Sequence, residues 1–75
     1  MTHRQLTTLR VMGQGGHLVD DFDSDQWYLF PHGHPANVIE AADVPPGSML
    51  ELDPEKSTGR TNAYRLSAEG RGWLD

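Results

Sequence analysis

The stretch Asn62-Ala63-Tyr64-Arg65-Leu66-Ser67-Ala68-Glu69-Gly70-Arg71-Gly72-Trp73-Leu74 decides how this chain is read. Its first five residues alternate, with Tyr64 and Leu66 on one side, as in a half-buried strand. Ser67 suits a helix N-cap, because its hydroxyl can accept a hydrogen bond from a free backbone N–H of the first turn. Glu69 complements the positive end of a helix dipole. The spacing predicts a strand over 62–66 and a closing helix over 68–74, with Trp73 and Leu74 shutting the core. Gly70 predicts a close approach of this helix to the first one.

Upstream, Met49–Asp53 also alternates, with Leu50 and Leu52 facing one way. The polar segment PEKSTGRT separates it from 62–66, so the two strands form a hairpin with a long tip. At the other end of the chain, Thr2-x-x-Gln5 has the capping-box pattern. Leu6, Leu9 and Met12 follow at three-residue spacing, which predicts a helix over 3–13 packed through that stripe. Gly13, Gly15 and Gly16 end it. His17–Val19 and Gln26–Phe30 read as strands joined through DDFDSD, with Trp27 and Leu29 on one side and Tyr28 and Phe30 on the other. His34-Pro35 can open a short helix, since proline is tolerated at the first helical position. Val38, Ile39 and Ala42 would then face the core, and Val44-Pro45-Pro46-Gly47 would stop it.

The sequence Tyr64 to Leu74 resembles the closing segment of many winged-helix domains. Tyr64 and Leu66 match the wing-strand positions, Ser67 the cap, and Gly70-Arg71 the Gly-Arg step before an apolar pair. Leu6 to Met12 followed by Gly15-Gly16 is similar to the first helix of short bacterial and phage winged-helix-like proteins. The resemblance implies an α+β fold: a small winged-helix-like domain with the order helix, hairpin, short helix, hairpin (the wing over 49–66), helix. In that family a helix enters the DNA major groove. The corresponding segment, Pro35 to Asp43, carries Glu40 and Asp43, no Lys or Arg, and Asn37 as its one good base-reading side chain.

The chain has 75 residues, which is one small domain with a thin core. It has no cysteine, so no disulfide and no thiolate chemistry is available. No apolar run approaches the roughly 18 residues of a membrane span, and MTHRQLTTLR has no signal-peptide core, so a cytoplasmic protein without a membrane partner is expected. Eleven Asp and Glu against six Lys and Arg leave a net charge of −5. That sign disfavours nucleic acid, whose binding rests largely on neutralised phosphates. The distribution is uneven: Asp20, Asp21, Asp23 and Asp25 crowd one segment, while Lys56, Arg60, Arg65 and Arg71 lie in the last third.

Asp21, Asp23 and Asp25 alternate like the first half of a calcium loop, but the sixth and twelfth places hold Gln26 and His32 instead of Gly and Glu. A solvated hairpin turn is the better reading. His32-Gly33-His34 with His17 lacks a close third ligand, so no metal and no cofactor is expected. The glycines at 13–16 follow a helix instead of feeding one, which is the wrong order for a phosphate cradle. Ser24, Ser48, Ser57 and Ser67 sit in turn or cap settings, with no nucleophile-elbow pattern.

Catalysis is therefore not expected. The candidate protein-binding residues are Asp20, Asp21, Asp23, Asp25, Tyr28 and Phe30. The aromatics enter this set because Trp27, Tyr28 and Phe30 cannot all face one small core. The candidate nucleic-acid contacts are Lys56, Arg60 and Arg65 on the wing, with Asn37. The leading expectation is a small regulatory or inhibitory binding protein acting on a protein or a protein–nucleic acid assembly, as in counter-defence inhibition. The alternative is a winged-helix transcriptional regulator, using the wing bases as a homodimer.

Overall fold

The computed structural model describes residues 1–74. Helix α1 (His3–Gly13) starts at Thr2 with the reciprocal bonds of a capping box. The Thr2 hydroxyl accepts from the Gln5 backbone N–H at 3.1 Å, and the Gln5 side-chain oxygen accepts from the Thr2 N–H at 2.8 Å. It ends in a Schellman motif: Gly15 N–H donates to Met12 and Gly16 N–H to Val11. Gly15 makes this turn at φ 96°, a conformation that costs a side-chain-bearing residue energy.

Five strands follow: β1 (His17–Asp21), β2 (Gln26–Phe30), β3 (Asn37–Ile39), β4 (Leu50–Leu52) and β5 (Thr61–Leu66). They form one sheet in the order β3-β2-β1-β5-β4, with every neighbouring pair antiparallel. Helix α2 (Ala68–Leu74) closes the described chain. The class is α+β. Both expected hairpins are present, and the pairing of β1 with β5 joins them into one sheet.

Both helices lie on the same face of the sheet. That face presents Leu18, Leu29 and Leu66, which pack with Leu9 and Met12 of α1 and with Met49 into the core. Leu9 and Leu18 are fully buried. Leu6, Trp27, Ile39, Tyr64 and Leu74 pack around this centre and stay partly accessible.

The expected short helix over 35–43 does not form. Asn37–Ile39 instead pairs with β2 as an edge strand, and only a single 3₁₀ turn, Ala41–Asp43, is helical. Two local properties disfavour a helix here, and the edge of β2 then makes the segment a strand. Val38 and Ile39 are β-branched and favour extended backbone. The segment between Pro35 and Pro45 is also too short to repay helix nucleation. The consequence is a changed face: Val38, expected in the core, is 60% exposed. Ala42 is exposed as well, and only Ile39 packs against the core.

The closing helix forms as expected, but its inner line differs. Ser67 caps it, its hydroxyl accepting from Gly70 N–H at 3.1 Å and donating to the Ser48 carbonyl at 2.7 Å. Gly70 and Leu74, four residues apart, make the inner line. Leu74 reaches Gly13 of α1, while Gly70 sits against the backbone at Met49. Trp73 is thereby turned outward and is 57% exposed, so it does not shut the core. Trp73→Ala should cost about 1 kcal/mol or less in thermal or denaturant melting, against roughly 3–5 kcal/mol for a buried tryptophan. A loss in the higher range would contradict this placement.

Candidate protein-interaction face

Among the described residues, the second face of the sheet carries no helix. Side chains alternate along a strand, and paired residues share a face, so the register defines its members. They are His17, Val19 and Asp21 of β1, Gln26, Tyr28 and Phe30 of β2, and Val38 of β3. From the other half come Thr61, Ala63, Arg65 and Glu51.

The two halves of this face differ. Over β5, the β4–β5 loop folds back on the sheet. Asp53 N–H donates to the Ala63 carbonyl at 2.8 Å. The Ser57 hydroxyl accepts from Ala63 N–H at 3.0 Å and donates to the Asp53 carbonyl at 2.8 Å. Ala63 is fully buried as a result. Among the described residues, no helix or strand packs over β1–β3 on this side. Val19, Tyr28 and Phe30 are half-buried there, and Val38 is open. The His17 and Phe30 rings stack at 4.8 Å with an interplanar angle of 6°. The Tyr28 hydroxyl donates to Gln26 Oε1 at 3.1 Å.

His17 titrates below its ordinary value of 6.5, first because burial disfavours the imidazolium and second because the Lys56 ammonium repels it, while Asp53 opposes the shift. The folded state then binds fewer protons than the unfolded chain once pH falls below about 6.5. Stability from this group is fully present above that pH and is lost as pH falls toward the folded-state value. His17→Gln should flatten this part of the pH–stability curve; an unchanged slope between pH 7 and 5 would rule out His17 as its source.

The acidic turn lies at one end of the open face. Asp21 ends β1, and its Oδ1 accepts from the backbone N–H groups of Asp23 at 3.0 Å and Ser24 at 3.5 Å. Asp25 completes the turn at φ 54°, a left-handed position that Asp tolerates. Asp23 Oδ2 lies 3.4 Å from the Arg60 guanidinium, and Phe22 N–H donates to the Arg60 carbonyl. The expected binding set is therefore split. Asp21, Tyr28 and Phe30 share the open face, Asp23 and Asp25 border it at the turn, and Asp20 points to the opposite side. Strand β1 runs two residues further than the sequence implied, and that extension makes Asp20 and Asp21 alternate across the sheet. Val38 and Val19 belong to the face and were missed by sequence reasoning. The pairing of Val38 with Tyr28 is a long-range fact that no local pattern carries.

The expected nucleic-acid set is not brought together. Arg65 Nε donates to Glu51 Oε2 at 2.7 Å, and Arg60 is engaged with Asp23. Lys56 lies near His17. Asn37 stands on β3, the edge opposite to β4, on the other face of the sheet. At about 4.8 Å per strand, β3 and β5 are roughly 14 Å apart. Among the described residues, no three His, Asp or Glu side chains form a group that could hold a metal ion. An open depression of about 270 Å³ between the ends of the two helices is lined by Arg10, Gly13, Gln14 and Leu74, with no nucleophile beside a base.

No protein-family model matches the chain, and neither a curated protein nor a solved structure matches it. No helix is long and apolar enough to cross a membrane among the described residues.

Proposed function

We propose that this chain is a small, non-enzymatic regulatory or inhibitory binding protein of phage or bacterial type. It contacts a protein, or a protein–nucleic acid assembly, through the open half of the sheet face and the acidic turn beside it. One observation carries the reading: the outward positions of β1–β3 hold Val19, Tyr28, Phe30 and Val38. An antiparallel sheet solvated on one face normally carries polar residues there. Aromatic rings already held by stacking and by a hydroxyl bond lose little freedom on contact, which suits an interface anchor.

The turn at Asp21–Asp25 adds sign. Its carboxylates attract a basic partner surface and raise the encounter rate. A surface of this kind competes for sites that otherwise hold nucleic acid, which is the logic of counter-defence inhibition. The cytoplasm is the proposed place of action. A winged-helix-like kinship is the finer proposal for the fold, supported by the β4–β5 hairpin running through Ser67 into α2.

The second reading, a DNA-binding regulator, is favoured by that same hairpin with Lys56 in its loop. It is weakened by the engagement of Arg60 and Arg65 with carboxylates. Affinity capture from the cell of origin, with and without nuclease, separates the two. A protein partner retained after nuclease supports the first. Loss of the partner with nuclease, together with duplex binding that weakens steeply with salt, would replace it with the second.

A further inference from the structure

Asp20 stands on the helix-side face, directly between Trp27 of β2 and Asn62 of β5. Leu18, two residues earlier, faces the same way with Tyr64 opposite it. The Trp27 and Tyr64 rings reach toward each other across β1, with centroids 5.9 Å apart and planes tilted by 36°. Both rings pack against the core cluster that contains Leu18, and Trp27 stands directly opposite Asp20. Direct cross-strand neighbours have Cβ atoms about 5 Å apart and diagonal ones about 7–8 Å, so both rings lie within reach of a group held by the Asp20 carboxylate.

Asp20, Trp27, Asn62 and Tyr64 are all partly accessible. The adjacent carboxylates are occupied: Asp21 caps its own turn and Asp23 meets Arg60. Among the described residues Asp20 is in no ion pair and its carboxylate accepts no hydrogen bond. Leu52, opposite Tyr64 and 45% exposed, adds an apolar rim.

A half-buried carboxylate beside two aromatic rings suits one chemical group above others. A guanidinium is planar and weakly hydrated, packs on ring faces, and forks onto a carboxylate. Its methylene stem can lie along an apolar rim such as Leu52. We propose that Asp20, Trp27 and Tyr64 form a niche for an arginine side chain of a protein partner, with the Asn62 amide at its border. The net charge of −5 favours such a basic partner. The niche is on the opposite side of the sheet from Tyr28 and Phe30, so it stands independently of the binding face proposed above.

The test is a titration of the intact protein with a tetra-arginine peptide, followed by the two indole N–H signals in NMR. The Trp27 indole and the Tyr64 ring signals should shift and saturate, while the Trp73 indole serves as an internal reference and stays in place. Asp20→Asn should weaken the saturable binding about tenfold or more, while Glu55→Gln, which removes one charge elsewhere, should leave it nearly unchanged. A tetra-lysine peptide of equal charge should bind more weakly. Equal weakening by the two variants, equal affinity for the two peptides, or shifts confined to the Asp21–Asp25 turn would overturn the assignment. The outcome does not depend on whether Tyr28 and Phe30 bind anything.

Discussion

Gly70→Ala should destabilise the protein by about 1–3 kcal/mol, although alanine is the better helix former by nearly 1 kcal/mol. The reason is the backbone of a neighbouring segment. A Cβ at position 70 would lie 2.5 Å from the Met49 carbonyl oxygen and 3.2 Å from the Leu66 side chain. The carbonyl cannot rotate away, because it accepts the Ser67 N–H at 3.0 Å. That bond and the Ser67 hydroxyl bond to Ser48 pin α2 to the 3₁₀ turn Gly47–Met49. Adding a methyl must therefore push the whole helix outward and loosen Leu74 against α1. Overpacking outweighs propensity here. Denaturant melting checks it, with Gly72→Ala as the control. Nothing lies within 4 Å of a Cβ at Gly72, so that variant should hold or gain stability. Equal behaviour of the two alanines would contradict the contact.

Leu18→Ala should have the largest effect, about 2–5 kcal/mol. Leu18 is fully buried on β1, the central strand, between β2 and β5 and under the Leu9–Met12 stripe of α1. The strand is hydrogen-bonded on both sides and cannot shift to fill the space, so a cavity remains. Leu52→Ala, on the β4 edge and 45% exposed, should cost far less. For a domain whose total stability is of the order of 5 kcal/mol, the loss at Leu18 leaves little folded protein. Circular dichroism at 25 °C would register it. A fully folded Leu18→Ala protein with an unchanged melting temperature would mean that the core is centred elsewhere.

Much of the fold was legible because its signals are local. The Thr2/Gln5 box and the glycines at 13–16 bound α1 within the chain itself. Alternation at 26–30 and 62–66 marks strands, and Ser67 marks the start of α2. Three features depended on distant partners and could not be read that way. Val38 and Ile39 became a strand because β2 offered an edge. Trp73 turned outward because the tight contact at Gly70 fixed the rotation of α2; the close approach at Gly70 was readable, but its neighbour is Met49, not α1. Asp20 and Asp21 parted because β1 extends two residues further, which places consecutive carboxylates on opposite faces. The candidate face itself was half visible. Tyr28 and Phe30 had to leave one side of a two-sided strand, whereas Val38 joined them only through the register.

The open half of the sheet face is the surface proposed to meet a partner. Val38→Lys tests it most directly, because Val38 is 60% exposed and its replacement leaves the core untouched. The measurement is nuclease-treated affinity capture by this variant beside the unaltered protein, with melting of both. The expected result is an unchanged melting temperature and loss of the captured protein by about tenfold or more, because a charge enters the apolar part of the face beside Tyr28. Undiminished capture by a fully folded Val38→Lys protein would contradict it.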